Sequence, residues 1–359
     1  MRYLTPKLLK LTVSNSSFQT MSCILRNTEN FRNIQNLTIK RIEENFPQEN
    51  ISFQDLCYLQ GLEMLKELNL TVYLGSPEVT QNLLKCLKLP KSLEHFCLWL
   101  SGVCLNDDIL SLKAYQNFGE CLQEPKNLTS LPLLWDVKSG LDHLNTLMRY
   151  FPKNLKSIKT LRLYTCSSDH CQRACINLPF IFGIIAPMKN LETLFINFED
   201  ISLMGDISCL AEIKKIRYLY ICSTTTKVAS LSDYHRVMDF VKQNNGLRDL
   251  TFECSPDFLS KKEVNKLADV LKTLKNLEHL KLKIKVKDVL IDSFFALGEV
   301  MRGLRYLKER FIEITWQSMS SENFNESMCV KIFSPDWKFT MNRVSIYDER
   351  GKQLYRVRN

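Results

Sequence analysis

The densest group of metal-ligand residue types in the chain lies in one short stretch, where Cys166, His170, Cys171 and Cys175 fall within ten residues. Three thiolates and one imidazole are a donor set that can hold zinc in a tetrahedral site. The spacing argues against zinc, because structural sites usually place their ligands on two separate knuckles and no second knuckle follows. Cys171 and Cys175 would share one helix face as small apolar groups. Packing is therefore the favoured interpretation, and we expect no metal or other cofactor.

Motifs for nucleophilic or phosphate chemistry are absent from the sequence. The chain has five histidines, and no G-x-S-x-G or thiol-protease signature accompanies them. Its eleven glycines include neither G-x-x-x-x-G-K-[ST] nor G-x-G-x-x-G. The recognisable hydrolase and nucleotide-binding classes are therefore excluded, and we predict that the protein is not an enzyme.

The other candidate residues are positioned by a strand pattern that is clearest at residues 280–287. There Leu, Leu, Ile and Val alternate with four lysines. A period of two indicates a strand with one buried and one exposed face. Just upstream, Ser260 and Glu263 have capping-box spacing, and aliphatic residues follow at helical spacing. The unit is therefore a helix followed by a strand in about thirty residues.

This unit recurs along the whole chain as L-x-x-L-x-L, with apolar residues at the three anchor positions. The first anchors follow one another at steps of 25 to 35 residues, which is typical of a solenoid. They are Leu8, Ile34, Leu65, Leu93, Leu128, Ile158, Leu191, Ile216, Leu247, Leu277 and Leu304.

The motif is clearest at Ile158-Lys-Thr-Leu161-Arg-Leu163-Tyr-Thr-Cys166, and it resembles the leucine-rich-repeat family. The resemblance is closest to the long, helix-containing repeats of the ribonuclease-inhibitor type, in a degenerate form, since the final Asn or Cys of the motif is often replaced. It implies an α/β horseshoe with a parallel sheet on the concave face and helices on the convex face. By analogy alone it also implies a protein-binding role.

The repeat pattern changes after residue 310. We predict that residues 1–310 form a solenoid of about ten to eleven repeats and that residues 311–359 form a β-rich cap over its open end, with an independent functional module as the alternative for the cap. No run of about twenty apolar residues is present, so no membrane span is expected. Thirteen cysteines without an export signal predict a cytoplasmic protein, with the nucleus as the alternative.

A binding surface is predicted on the concave face, where the residues beside the second and third anchors of each strand should meet solvent. Large aromatic side chains on a rigid sheet are typical interface anchors, although some could instead pack against neighbouring repeats. The predicted set is Trp99, Arg162, Tyr164, Phe195, Tyr218, Tyr220, Asp249, Lys281, Lys283 and Lys285.

Residues 261–288 hold nine lysines and four carboxylates. Their net charge of +5 is about half of the net charge of +9 carried by the chain. This stretch is either a solvated surface or a docking patch for an acidic protein or a nucleic acid. Because no aromatic residue is interleaved with the lysines, an acidic protein is favoured. Our first hypothesis is a protein-binding scaffold or adaptor. The alternatives are a nucleic-acid-associated protein bound through residues 261–287, and a regulator, either inhibitor or activator, of an enzyme such as a GTPase.

Overall fold

A computed structural model describes residues 8–14, 18–42, 53–73, 77–103, 112–137, 149–151, 155–165, 175–202, 213–225, 231–253, 259–286, 291–316, 341–348 and 353–358. The chain divides into two compact units, Met1–Ala174 and Cys175–Asn359, which we call the first and the second unit.

The described strands of the first unit lie in chain order in one sheet, and each pairs in parallel with the next. They are β1 (Lys10–Ser14), β2 (Asn36–Ile42), β3 (Glu67–Tyr73), β4 (His95–Val103), β5 (Ser130–Val137) and β6 (Thr160–Thr165). The helices between them are α1 (Phe18–Arg26), α2 (Thr28–Phe31), a 3-10 helix (Phe53–Gly61), α3 (Pro77–Cys86) and α4 (Leu112–Cys121).

The second unit repeats this arrangement. Its strands are β7 (Cys175–Asn177), β8 (Thr193–Ser202), β9 (Tyr218–Thr225), β10 (Asp249–Glu253), β11 (His279–Val286), β12 (Glu309–Trp316), β13 (Met341–Asp348) and β14 (Gln353–Arg358). Strands β8 to β13 pair in parallel in chain order, β7 pairs in parallel with β8, and β14 is antiparallel to β13. The helices are α5 (Leu178–Ile185), α6 (Leu231–Gln243), α7 (Lys261–Thr273) and α8 (Ile291–Gly303).

The anchor residues of the strands form the core between sheet and helices. Leu277, Leu280 and Leu282 are at most 2% exposed. The helices cover this side, since Phe118 of α4 contacts the ring of Phe96 on β4 at 6.5 Å between centroids. The alternate strand residues point away from the helices, and we call the surface that they form the open face of each unit. The predicted leucine-rich repeats, with a parallel sheet and helices on its anchor side, are thus confirmed in each unit.

The strand register corrects the first anchor of the last predicted repeat. Glu309 pairs with His279, which lies two residues after the anchor Leu277. The equivalent anchor is therefore Leu307, and the prediction of Leu304 is wrong. The second anchor of this repeat is Arg310, which lies opposite Leu280 and is only 1% exposed. A buried arginine at an anchor position hides the L-x-x-L-x-L pattern from sequence inspection.

Leu304 occupies a further buried position, three residues before the first anchor. In most repeats the N–H of the anchor donates to the carbonyl of this residue, as Leu277 N does to Leu274 O at 3.2 Å. The residues at this position are Phe31, Leu62, Pro90, Pro125, Leu155, Met188, Ile213, Asn244, Leu274 and Leu304, and all are buried. Asn244 is the polar exception among them.

The predicted capping box at the start of α7 is confirmed. Ser260 N–H donates to Glu263 Oε2 at 3.1 Å, and Lys262 N–H donates to Ser260 Oγ at 3.2 Å. Burial acts to raise the pKa of Glu263, but the hydrogen bonds from Ser260 and the helix backbone act against it, and the pKa is lowered overall. Glu263 also contacts His235 Nε2 at 3.2 Å, which links α7 to the preceding helix.

The parallel sheet of the second unit extends past residue 310, because β12 and β13 continue it with β14 at the edge. Residues 317–340 of the predicted cap lie outside the described residues. The boundary between solenoid and cap stays a prediction.

Candidate protein-binding face

The open face of the first unit carries an apolar patch that spans three neighbouring strands. The register places Trp99 of β4, Leu134 of β5 and Tyr164 of β6 side by side. Trp99 is 45% exposed, while Leu134 and Tyr164 are half-buried. We call these three residues the Trp99 patch. It presents a broad apolar contact area, and two of its three strands, β4 and β5, are hydrogen-bonded on both sides.

Arg162 supplies a positive charge beside this patch. It is exposed on β6 and pairs in register with Pro132 of β5. Burial raises the pKa of the nearby Cys97 thiol on β4, and the positive charge of Arg162 opposes that rise. Pro132 has no N–H to donate, and its short apolar ring projects little from the sheet. The surface beside Arg162 is therefore apolar. The patch therefore has both an aromatic anchor and a cation on its rim.

The open face of the second unit carries a second aromatic group. The rings of Phe195 on β8 and Tyr220 on β9 stack with centroids 5.1 Å apart and planes inclined by 27°. Tyr220 Oη donates to Asp249 Oδ2 on β10 at 2.6 Å. Half-buried Tyr218 pairs in register with Asp249. We call Phe195, Tyr218, Tyr220 and Asp249 the Tyr220 cluster, whose central ring is fixed from both sides.

Burial raises the pKa of Asp249, and the hydrogen bond from Tyr220 opposes that rise. A carboxyl whose pKa is raised in the folded state makes folding less favourable once the pH exceeds its unfolded pKa of about 3.9. We therefore expect Asp249→Asn to keep the Tyr220 contact and to raise the unfolding midpoint at neutral pH. This gain should disappear below the ordinary aspartate range. Thermal unfolding of both proteins across this pH range checks it, and a gain that persists in acid would contradict it.

Two of the three predicted lysines of β11 are paired with carboxylates on neighbouring strands. Lys281 Nζ contacts Glu253 Oε1 at 2.5 Å and lies 5.3 Å from the centroid of the Phe311 ring. Lys283 Nζ contacts Glu313 Oε1 at 2.9 Å. Lys285 is half-buried opposite Thr315 in the register. The argument that no aromatic residue accompanies these lysines is therefore wrong at Lys281.

The described lysines of the stretch 261–287 do not form one basic surface, and that interpretation is wrong. The lysines of α7 and its ends lie on the helix side, whereas those of β11 lie on the open face. On β10 to β12 the open face also carries carboxylates, so that its charges are nearly balanced. The carboxylates are Asp249, Glu253, Glu309 and Glu313. His279 Nδ1 lies 3.0 Å from Glu309 Oε2 and extends this row of mixed charges.

The predicted cysteine cluster lies outside the described side chains. Cys166, His170 and Cys171 are not among the described residues, and of Cys175 only the backbone is described, as part of β7. In the part of the chain that the structure covers, no three His, Cys, Asp or Glu side chains are arranged to hold a metal ion. None of the described helices has the length and apolar character needed to cross a bilayer.

The predicted binding surface did not include Leu134 and Pro132, because it contained only aromatic and charged residues. The rule that selected Trp99 also identifies them, since both alternate with the anchors Leu131 and Leu133. Phe311 was missed because Arg310 obscured the repeat to which it belongs. The outward strand positions therefore contain more apolar surface than the predicted set.

No protein-family model matches the sequence, and no curated protein matches it. Among solved structures, the chain is similar to the crystal structure of a TLR13–ssRNA13 complex, with 13% identity and a TM-score of 0.40; the match covers 96% of this chain and 40% of that chain. It is also similar to a protein from Bacteroides fragilis, with 13% identity and a TM-score of 0.29, over 86% of this chain and 65% of that chain. The chain thus spans less than two thirds of either structure. The repeat architecture itself follows from the strand order and register.

Proposed function

We propose that the chain is a protein-binding scaffold that uses the open face of its repeats. The proposal is carried by Trp99, which is 45% exposed on a central strand and flanked in register by Leu134 and Tyr164. Large aromatic side chains are common interface hot spots, because they bury much area and lose little rotational freedom on binding. A hydrogen-bonded sheet adds to this advantage, since its backbone needs no further ordering.

The Tyr220 cluster supports the same function in the second unit. Its stacked rings and its bond to Asp249 hold Tyr220 in one orientation before any partner arrives. Preorganised aromatic groups with one polar handle suit the recognition of a protein surface.

The other hypotheses have less support. Binding of a nucleic acid or an acidic protein through residues 261–287 requires one basic surface, and these lysines are divided between two sides of the sheet. Regulation of an enzyme such as a GTPase and the absence of enzymatic activity stay predictions. Because the charges on the open face of β10 to β12 are nearly balanced, they do not favour an acidic partner there.

The test is the double variant Trp99→Ala/Tyr164→Ala. Both side chains lie on the open face, so their loss should leave the core intact while removing the apolar contact area. Tyr220 is a less suitable probe, because its removal also breaks the contacts with Phe195 and Asp249. We expect recovery of the bound protein, measured by affinity purification from the native cell and quantitative mass spectrometry, to fall at least about 30-fold.

The matched control is Tyr58→Ala/Met64→Ala. These side chains are 45% and 48% exposed in the same unit but lie outside the open face. The control should recover the partner as the unchanged protein does, and both variants should keep its unfolding midpoint. Full recovery by Trp99→Ala/Tyr164→Ala would refute the proposed function.

A further inference from the structure

A grid of cations lies in the second unit at the edge where helices end and strands begin. It covers the three repeats whose first anchors are Leu247, Leu277 and Leu307. Since the strands are parallel and in register, residues at one offset from the anchor are neighbours across repeats, about 4.8 Å apart at the sheet. Each repeat contributes three positions, which lie five residues before, two residues before and one residue after its first anchor. The three repeats together give nine positions. We call this grid the basic edge.

Seven of these nine positions hold a lysine or arginine, and all seven side chains are exposed. The row five residues before the anchor is formed by Lys242, Lys272 and Arg302. The other two rows contribute Lys275, Arg305, Arg248 and Lys308. The remaining positions are Asn245 and Glu278.

Glu278 is the one carboxylate of the grid, and two cations share it. Lys308 Nζ contacts Glu278 Oε2 at 2.7 Å, and an Arg248 guanidinium nitrogen lies 3.8 Å from Oε1. Three more carboxylates lie exposed one helical turn before the first row, and they are Asp239, Asp269 and Glu299. The edge and this flanking row together carry seven cations and four carboxylates, which leaves an excess of three positive charges. The same offsets in the first unit include both Glu63 and Glu94 among their residues, and there the charge is more mixed.

Helix dipoles explain only part of this pattern. Lys242, Lys272 and Arg302 lie in the last turns of their helices, where a cation complements the negative end of the dipole. The cations of the other two rows lie in turns and at strand starts, where no helix dipole stabilises a positive charge. An excess of cations that extends over three neighbouring repeats points to a polyanion as the partner.

Tyr306 indicates which polyanion this is. It is 59% exposed, the highest value among the described large hydrophobic side chains, and along the sequence it lies between Arg305 and Lys308. An exposed ring among cations is the arrangement that binds unpaired bases by stacking while the cations hold the backbone. An acidic protein would use the cations but would give the ring no comparable planar partner.

We propose that the basic edge binds the phosphate backbone of a single-stranded nucleic acid, with Tyr306 stacked on one of its bases. The site is separate from the open face, so it goes beyond the proposed scaffold function and does not depend on it.

The experiment measures binding of a labelled single-stranded RNA of mixed sequence to the full chain by fluorescence anisotropy at several salt concentrations. The test variant is Lys272→Gln/Lys275→Gln/Arg305→Gln. Each lost phosphate contact reduces the log–log salt slope by about 0.7, so the slope should fall by about 2 and the affinity at low salt by about tenfold or more. The matched control, Lys113→Gln/Lys261→Gln/Lys262→Gln, removes three exposed cations outside the edge and should change little.

A second pair of variants isolates the stacking contact. Tyr306→Ala should weaken RNA binding at least about fivefold and leave the salt slope unchanged, because it removes a ring and no charge. Tyr306→Phe keeps the ring and should bind as the unchanged protein does.

Three outcomes would overturn the proposal. The unchanged protein could fail to bind RNA at low salt, the control variant could lose as much affinity as the test variant, or polyglutamate or anionic vesicles could bind more tightly than RNA. The Trp99→Ala/Tyr164→Ala variant should still bind RNA, which keeps this test apart from that of the scaffold function.

Discussion

Gly119→Ala should lower the free energy of unfolding by about 2 kcal/mol or more, although alanine is the better helix former. Gly119 is buried in α4, and a Cβ atom at this position would lie 2.2 Å from the carbonyl oxygen of Tyr150. A backbone carbonyl cannot move aside by changing rotamer, so the helix and the segment of Tyr150 would have to separate. This loss should exceed the gain in helix propensity, which is at most about 1 kcal/mol.

Gly183→Ala is the matched control for this clash. Gly183 lies inside α5, is exposed, and has no atom within 4 Å of an added Cβ. The same methyl group should therefore stabilise the protein by up to about 1 kcal/mol. Urea unfolding of both variants measures the contrast. Equal effects at the two glycines would contradict the close approach of α4 to Tyr150.

The repeat architecture could be predicted because it depends on one apolar pattern repeated along the chain. Each L-x-x-L-x-L strand needs three anchors on one side, and a register slip by one residue would expose all of them. The pattern therefore predicts strand, register and buried side together. The capping box at Ser260 and Glu263 could be predicted from the sequence for a similar reason, since both of its hydrogen bonds form within four residues.

The last repeat could not be located from sequence, because its second anchor is a buried arginine. Arg310 lies where Leu280 lies in the preceding repeat, and only the pairing of Glu309 with His279 reveals the equivalence. Sequence inspection therefore chose Leu304, which is buried for a different reason. A charged residue at an anchor defeats any rule based on hydrophobic periodicity.

The sequence could predict which residues of a single strand lie on a candidate surface, but not which residues of the neighbouring strands lie beside them. Alternation places Trp99 and Tyr164 on the open face, but their closeness depends on which residue of β5 lies between them. The lysines of residues 261–287 were misread for the same reason, since local charge density does not show that a helix and a strand present theirs on opposite sides. The basic edge is still less visible, because its cations come from three repeats about thirty residues apart.

Asn244 is the second residue for which we expect a large effect on stability. It occupies the buried position three residues before the first anchor, where the two following repeats have Leu274 and Leu304, and it is 1% exposed. Its Nδ2 donates to Phe240 O at 3.0 Å, and its Oδ1 accepts from Ile216 N–H of the preceding repeat at 3.3 Å. The side chain therefore provides the acceptor for a buried backbone donor in another repeat.

Asn244→Leu gives this position the residue of the following repeats, yet it should cost about 1–3 kcal/mol, because Ile216 N–H would be buried without its acceptor. Asn244→Ala should cost more, since it adds a cavity to the same loss. Asn245→Ala changes an exposed neighbour and should stay within about 0.5 kcal/mol of the unchanged protein. Urea unfolding gives the energies, and hydrogen exchange of the peptide containing Ile216 shows whether its amide loses protection. A more stable Asn244→Leu variant with Ile216 still protected would mean that apolar packing, and not the bond between repeats, decides the residue at this position.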